Sequence, residues 1–351
     1  MKAVVKTKPE FGAVEALDMP MPKIEPNEVL VQIKACGICG SDLGLYEWRE
    51  ADRFRFGIPI EPPVIIGHEP AGVVAEVGSE VPESWGLKPG DRVASDSWGG
   101  CGMCYYCRLG YFNMCVGERK NIGSLAHGAM AEYCAIPFFN LYKVPDSISF
   151  EEAATLQPFG VAMRGMETLV DFKPGDDVAV LGTGPIALFE ALLARAAGAG
   201  KIFVTGLAID KKRLELAQKL GFITINSEEQ PVQDMILEMT GGLGVDVVFD
   251  AVSEGVPEEA VTLLKRVGQL VITATVGGAV TFSGEELMRR EIIITMNKFR
   301  NPSTFYRAIN LLASGRVDLK PLITHRFKIE DSDIGFKTLQ RREGMKVLIV
   351  P

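Results

Sequence analysis

With 351 residues, 47% hydrophobic and 23% charged, the chain has the make-up of a globular protein long enough for two domains. Its formal net charge of −8 argues against nucleic acid as a partner, because a phosphate-binding surface needs a basic excess, and the only tight basic cluster is Lys211-Lys212-Arg213. No apolar run reaches the roughly 18 residues of a spanning helix, so no membrane partner is expected either. The opening Met1-Lys2-Ala3-Val4-Val5-Lys6 reads as a strand without the long apolar core of a secretory signal, and a cytoplasmic location is expected. The cysteines agree: there are seven, an odd number, and four crowd into fifteen residues, which is metal-ligand crowding in a reducing compartment.

The first half is a series of short β-like runs punctuated by Gly and Pro: 29–33, 71–77 and 91–94, with Pro89-Gly90 marking a turn. The texture changes near residue 149, where Ser149 and Glu152 have capping-box spacing and open a helix expected to run through 153–170. A regular alternation follows, with strands expected at 177–182, 201–206, 222–226, 245–252, 269–277 and 291–297. Helices fit 185–198, 211–220, 231–240 and 256–267. Strands alternating with helices predict an α/β fold, a doubly wound Rossmann sheet of six parallel strands. The tail holds a helix near 302–314 and ends in the strand-like Lys346-Val347-Leu348-Ile349-Val350, expected to rejoin the first domain. The expected division is a β-rich catalytic domain from 1–152 and 298–351, around a dinucleotide-binding domain from 153–297.

Cys101, Cys104, Cys107 and Cys115 have the spacing C-x2-C-x2-C-x7-C, with Gly99, Gly100, Gly102 and Gly110 around them. Four thiolates in a glycine-rich loop wrap one tetrahedral zinc, and such a closed site holds a loop rather than doing chemistry. An iron–sulfur cluster also takes four cysteines, but nothing else in the chain suggests electron transfer. Cys39 and His68 are a second pair of zinc-type ligands, on separate turns of the β-rich half, and suit a catalytic zinc with an open position. Each has a bland alternative as a buried thiol or a hydrogen-bonded imidazole.

Gly182-Thr183-Gly184-Pro185-Ile186-Ala187 follows the strand Val178-Ala179-Val180-Leu181 and opens a helix. That is the G-x-G-x-x-A fingerprint in strand–turn–helix context, where the helix N-terminus favours a pyrophosphate.

Together, Gly37-Ile38-Cys39-Gly40-Ser41-Asp42, Gly67-His68-Glu69-Pro70-Ala71-Gly72-Val73-Val74, the four-cysteine loop, Gly128-Ala129-Met130-Ala131-Glu132-Tyr133 and the glycine motif resemble, in order and over essentially the whole chain, the medium-chain zinc-dependent alcohol dehydrogenase superfamily. The branches it resembles are the polyol (sorbitol) and threonine dehydrogenases. A zinc site of Cys and His ligands is a known feature of that superfamily. The resemblance implies a GroES-like catalytic domain and two Zn²⁺ ions, one catalytic and one structural. It places Cys39 and His68 on the catalytic zinc, Ser41 as the hydroxyl beside the substrate oxygen, and Asp42 as the carboxylate orienting His68. Glu69 matches an acidic residue able to bind the zinc.

Two positions depart from the pattern. Where some relatives have Glu-Pro near the zinc, this chain has Gln157-Pro158, so Gln157 is a weaker candidate ligand than Glu69. Where many relatives have a proton-relay histidine, this chain has Gly44.

For the cofactor, Gly184, Pro185 and Ile186 are expected at the phosphates. The second strand ends at Gly206 instead of the acidic residue that binds an NAD ribose. With Lys211, Lys212 and Arg213 close behind, NADP is favoured over NAD, although the basic run is equally a solvated first helical turn and Asp210 is near enough to reach a ribose. Arg300 is a further candidate at the cofactor or substrate. The expected activity is hydride transfer between NAD(P) and a secondary hydroxyl of a small-molecule alcohol, polyol or sugar. Threonine or a general secondary alcohol is the alternative, and a dimeric or tetrameric homo-oligomer is expected. Cys39, His68 and the four-cysteine loop argue against a zinc-less quinone reductase; a non-enzymatic dinucleotide sensor is the reading of another class.

Overall fold

The structure, a computed structural model, describes residues 1–55, 57–97, 99–117, 121–252, 257–274 and 279–351. The chain divides into two compact units, Met1–Gln157 with Asn301–Pro351, and Pro158–Arg300.

The first unit is built on a seven-stranded sheet. In spatial order it runs Leu141–Lys143, Arg92–Ser95, Glu69–Val77, Glu28–Gly37, Lys346–Ile349 and Ile323–Phe327, with Tyr133–Pro137 also pairing with Glu28–Gly37. The terminal strand does rejoin this unit: Leu348 pairs with Gly37 and Ile349 with Cys36. Alternate residues of Glu28–Gly37 face a core containing Val29, Val31, Ile33, Val74, Ile136 and Val347, all at most 2% exposed. Two registers position the functional residues. Gly37 lies opposite Glu69, and the chain leaves both strands at that edge, toward Cys39 on one side and His68 on the other.

The second unit holds six strands, all parallel, in the order Ile223–Asn226, Ile202–Gly206, Val178–Leu181, Val245–Asp250, Leu264–Ile272, Ile293–Met296. The order reverses between Val178–Leu181 and Val245–Asp250, and such a reversal opens a crevice at the strands' C-terminal ends. Val178, Ala179, Val180, Phe203, Val204, Val247, Val248 and Phe249 are fully buried, as expected of strands covered on both faces.

Three local expectations change. The helix capped by Ser149 ends at Ala153, and a second helix runs from Leu156 to Thr168. Pro158 explains the break: it has no N–H to bond the Ala154 carbonyl, but it is tolerated in a first turn, where that N–H has no helical partner. The helix expected at 256–267 ends at Leu263 and strand begins at Leu264; Val256 itself lies outside the described residues. The following strand, expected at 269–277, ends at Ile272, and 275–277 also fall outside them.

Candidate functional site

The Cys39–His68 centre begins where the strand Glu28–Gly37 ends. Ile38 N–H donates to Val347 O (2.9 Å), fixing the exit, and Cys39 then caps the helix Gly40–Glu47 in an extended conformation. Asp42, on the first turn of that helix, is fully buried and turns back to accept the Cys39 N–H at Oδ2 (2.8 Å). Its other oxygen stands 3.2 Å from His68 Nδ1. The bend that delivers His68 requires Gly67: its φ is +94°, and a Cβ there would lie 2.5 Å from Met130 Cγ.

Burial works against charge on Asp42, but His68, the Cys39 N–H and Arg55 outweigh it and hold the carboxyl below its ordinary range. Burial likewise opposes charge on His68, yet Asp42 and Cys39 push the imidazole up to about 10. These surroundings favour a cation.

Ligand atoms of Cys39, His68 and Glu69 lie within 4.8 Å of one another, so the donor set fits a zinc ion. With Nδ1 facing Asp42, Nε2 is the nitrogen His68 offers a metal.

Glu69 is more constrained than its place in the sequence suggests. It is fully buried, and a Cβ at Gly37 would overlap its Oε2, so glycine at 37 makes room for the carboxylate. The same Oε2 is paired with the Lys346 ammonium, which also donates to Ile38 O (3.1 Å). Lys346 and Glu69 side chains are 2% and 0% exposed. A zinc ion held there would have the Asp42 and Glu69 carboxylates to offset its charge. Sequence reasoning missed Lys346; a lysine inside the apolar terminal run was the available signal, since buried lysines are rare unless paired. Gln157 is buried and donates from Nε2 to Ser97 Oγ (3.2 Å).

The four-cysteine lobe contrasts with this centre. All four sulfurs lie within 4.8 Å of one another. Backbone N–H groups of Cys101 and Gly117 point at Cys115 Sγ and that of Cys104 at Cys101 Sγ, each at 3.3 Å, which stabilises thiolates. Backbone N–H groups of Val116 and Cys107 lower Cys104 to about 6, whereas burial pushes Cys107 up to about 12. A Cβ at Gly100 would approach Cys107 Sγ to 2.7 Å, and one at Gly117 would approach Cys101 Sγ to 2.8 Å. The glycines therefore admit the sulfurs, and the cluster fits a closed tetrahedral zinc.

In the second unit, Gly182 takes φ +107° after Leu181, and Gly184 caps the helix Pro185–Ala196 with Pro185 in its first turn. A Cβ on Gly184 would meet nothing within 4 Å, so the helix N-terminus faces open space, as a phosphate cradle requires. Ala187 is fully buried. Gly206 packs its Cα against Thr183, where an added Cβ would lie 2.6 Å from Cγ2. Asp210 does not reach out: it is buried, accepts the Leu207 N–H (3.3 Å) and stands 4.0 Å from Arg213 Nη1. Lys211 and Lys212 are exposed on the next helix's first turn. Arg300, the last residue of the unit, is 1% exposed.

Residues 25–146 match the family described as alcohol dehydrogenase GroES-like domain, and residues 185–314 the family described as zinc-binding dehydrogenase. The chain is 33% identical over 355 residues to L-threonine 3-dehydrogenase of Shewanella loihica, covering 99% of each. Among solved structures it is similar to a putative zinc-binding dehydrogenase from Sinorhizobium meliloti bound to NADP (30% identity, TM-score 0.88, 100% of this chain and 99% of that one). It is likewise similar to 2R,3R-butanediol dehydrogenase from Bacillus subtilis (28% identity, TM-score 0.86, 100% and 99%). The chain belongs to the medium-chain zinc-dependent alcohol dehydrogenase superfamily. It is a zinc-containing, NAD(P)-dependent oxidoreductase that acts on hydroxyl groups, which displaces the sensor reading.

Proposed function

We propose that the protein oxidises a secondary hydroxyl of a small polyol or sugar to the carbonyl, with the reverse reduction, at the Cys39–His68 centre. The observation that carries this reading is the arrangement at the start of the helix Gly40–Glu47, where Cys39, Ser41 and Asp42 occupy one turn and Asp42 backs His68. A bound zinc would supply a Lewis acid for the substrate oxygen, and a bound nicotinamide an acceptor for the hydride. Cys39 and His68 would hold the metal, and Asp42 would fix the imidazole's tautomer and orientation. Ser41 offers a hydroxyl, acceptor and donor at once, to take the proton that the substrate oxygen gives up. Glu69, clamped by Lys346, would be a further anionic donor for the metal, and Gln157 is held by its hydrogen bond to Ser97. The Cys101–Cys115 lobe carries the structural zinc.

A second reading has its own support: L-threonine 3-dehydrogenase is among the similar proteins, and threonine, like a 2,3-diol, carries a heteroatom next to its secondary hydroxyl. Initial rates on polyols, sugars, 2,3-diols, L-threonine and simple alcohols, alongside zinc analysis, separate the two. Turnover confined to threonine replaces the first reading, and no turnover on any secondary hydroxyl sinks both.

For the cofactor we infer NADP, on the absence of a carboxylate at Gly206, the inward turn of Asp210 and the exposed Lys211 and Lys212. Gly206→Asp must also displace Thr183, so the cleaner test compares kcat/KM for both cofactors in wild type and Lys211→Ala. Loss of NADP preference in the variant supports the inference; a wild type preferring NAD tenfold, about 1.4 kcal/mol, overturns it. A cytoplasmic homo-oligomer, dimer or tetramer, is proposed as well. Its supports are seven cysteines without a disulfide and the edge strand Ile293–Met296, whose Ile293 and Met296 are 50% and 59% exposed. Among the described residues, no helix is long and apolar enough to cross a membrane.

A further inference from the structure

Oxidising a hydroxyl releases a proton as well as a hydride, and Gly44 offers no side chain to carry it. Gly44 lies three residues after Ser41 on the helix Gly40–Glu47, so the two share one face. The space over Gly44 is filled. A Cβ there would overlap Asp52 Oδ2 and Cγ and come within 2.5 Å of Arg49 Nη2.

The chain is folded to put Asp52 in that position. Trp48 ends the helix in the left-handed region (φ 56°), the backbone reverses, and Asp52 N–H donates to Arg49 O (3.0 Å). Arg53 Nε donates to Trp48 O (2.9 Å), and the Arg53 guanidinium and the Lys6 ammonium lie over the indole. Arg49 spans the gap: its Nη2 donates to Gly40 O (3.0 Å) and its Nε contacts Asp52 Oδ2 at 2.9 Å. The Asp52 side chain is 17% exposed, so it is sheltered from bulk water yet in contact with it.

We propose that Asp52 is the outer member of the proton path that starts at Ser41, occupying the space a relay side chain at position 44 would take. This rests on the reading that Ser41 takes the proton of a substrate hydroxyl. Ser41 Oγ receives the substrate's proton and gives up its own to an intervening water, which in turn gives a proton to the Asp52 carboxylate, making it a carboxylic acid. It then loses the proton to water and returns to the anion, while the hydride goes to the nicotinamide. No further reactant is needed.

The electrostatics suit an acceptor. Burial raises the Asp52 carboxyl above its ordinary range, against the opposing pull of Arg49 and Arg55, and Glu47, which also contacts Arg49 (3.7 Å), adds to the rise. An acceptor moved toward neutrality transfers protons more effectively near pH 7.

The test compares Asp52→Asn, Asp52→Glu and Ser41→Ala on the zinc-loaded enzyme. It reads the pH profile of single-turnover hydride transfer, rescue by added formate, and melting temperature. Indicator-dye measurement of proton release on binding of an unreactive alcohol gives a readout that needs no turnover. Asp52→Asn should slow transfer ten- to a hundredfold and suppress fast proton release. Formate should restore both in a concentration-dependent way, and Asp52→Glu should retain most of the wild-type rate. An unchanged profile and unchanged proton release in Asp52→Asn overturn the proposal while Ser41→Ala still slows the reaction. So does a loss that tracks melting temperature and ignores formate, which marks a structural role. If Ser41→Ala is as fast as wild type, the underlying reading of Ser41 fails, and the proposal with it.

Discussion

The two metal-ready clusters of the first unit are built in opposite ways. The four-cysteine lobe draws all its donors from fifteen consecutive residues, Cys101 to Cys115, and supports them with backbone N–H groups and glycines cleared for sulfur. The Cys39–His68 centre takes donors from two strand ends joined by antiparallel pairing. It backs them with charged side chains: buried Asp42 behind the imidazole and Lys346, from the chain's last strand, behind Glu69. A site saturated by four thiolates ties a loop together. A site with fewer protein donors and a built electrostatic surround leaves a position for substrate.

The largest expected effect separates the two directly. Wild type should hold two zinc ions per chain, with mild chelation removing only the one at Cys39 and His68. His68→Ala should keep the four-cysteine zinc and lose several kcal/mol of transition-state stabilisation, roughly a thousandfold in kcat/KM. Cys104→Ser should do the reverse, lowering melting temperature while each folded molecule keeps its turnover within a few-fold. Zinc analysis, calorimetry and initial rates check all three. If a single zinc is found and leaves without effect on turnover, or if both variants lose rate and stability together, the contrast is wrong.

How much of this was legible in the sequence follows from the same contrast. The four-cysteine spacing and the glycine loop are local patterns whose geometry depends on a dozen or so neighbouring residues. The strand–helix alternation was legible because hydrophobic period reports burial. Lys346 and Asp52 were not, because each acts through contacts set by tertiary folding: Lys346 meets Glu69 across two strand pairings, and Asp52 returns over Gly44 only because Trp48 reverses the chain. The helix boundaries near Pro158 and Leu264 are not legible because the apolar period continues through the change of element.

A second prediction sharpens the contrast by turning one buried carboxylate into another kind. Glu69 is buried with a cation. Glu190, fully buried in the second unit, has among the described residues the Thr273 hydroxyl at 2.6 Å and no cation, and burial pushes it up to about 8 despite that bond. Glu190 thus holds a proton in the folded state that the unfolded chain releases at ordinary carboxylate pH. Its contribution to stability is complete below about pH 4.5 and is lost as pH rises through 8, at up to about 1.4 kcal/mol per pH unit. Glu190→Gln should flatten that slope in melting temperature against pH. In the chelated enzyme, Lys346→Met should leave Glu69 buried without its ammonium partner, at a cost of about 3–5 kcal/mol. The double variant Lys346→Met/Glu69→Gln should recover most of that loss. If the single lysine variant is as stable as wild type, the Lys346–Glu69 pair is not what holds this side of the centre.

The smallest expected effect tests whether the Cys39–His68 centre needs its buried anion. Asp42 makes two contacts that both require an acceptor: Oδ2 takes the Cys39 N–H, and Oδ1 faces His68 Nδ1, which bears the hydrogen when Nε2 binds a metal. Asparagine keeps the shape but has only one acceptor oxygen, so either flip of its amide sets a donor against a donor. Asp42→Asn should therefore lower zinc affinity at this centre and kcat/KM by ten- to a hundredfold, leaving the four-cysteine zinc in place. Folding should lose roughly 1–3 kcal/mol for the unmet buried donor. Zinc titration of the chelated enzyme, with competition by a chromophoric chelator, reads the affinity without any turnover. Wild-type zinc affinity in Asp42→Asn would mean that Cys39 and His68 hold the metal without the buried anion behind the imidazole.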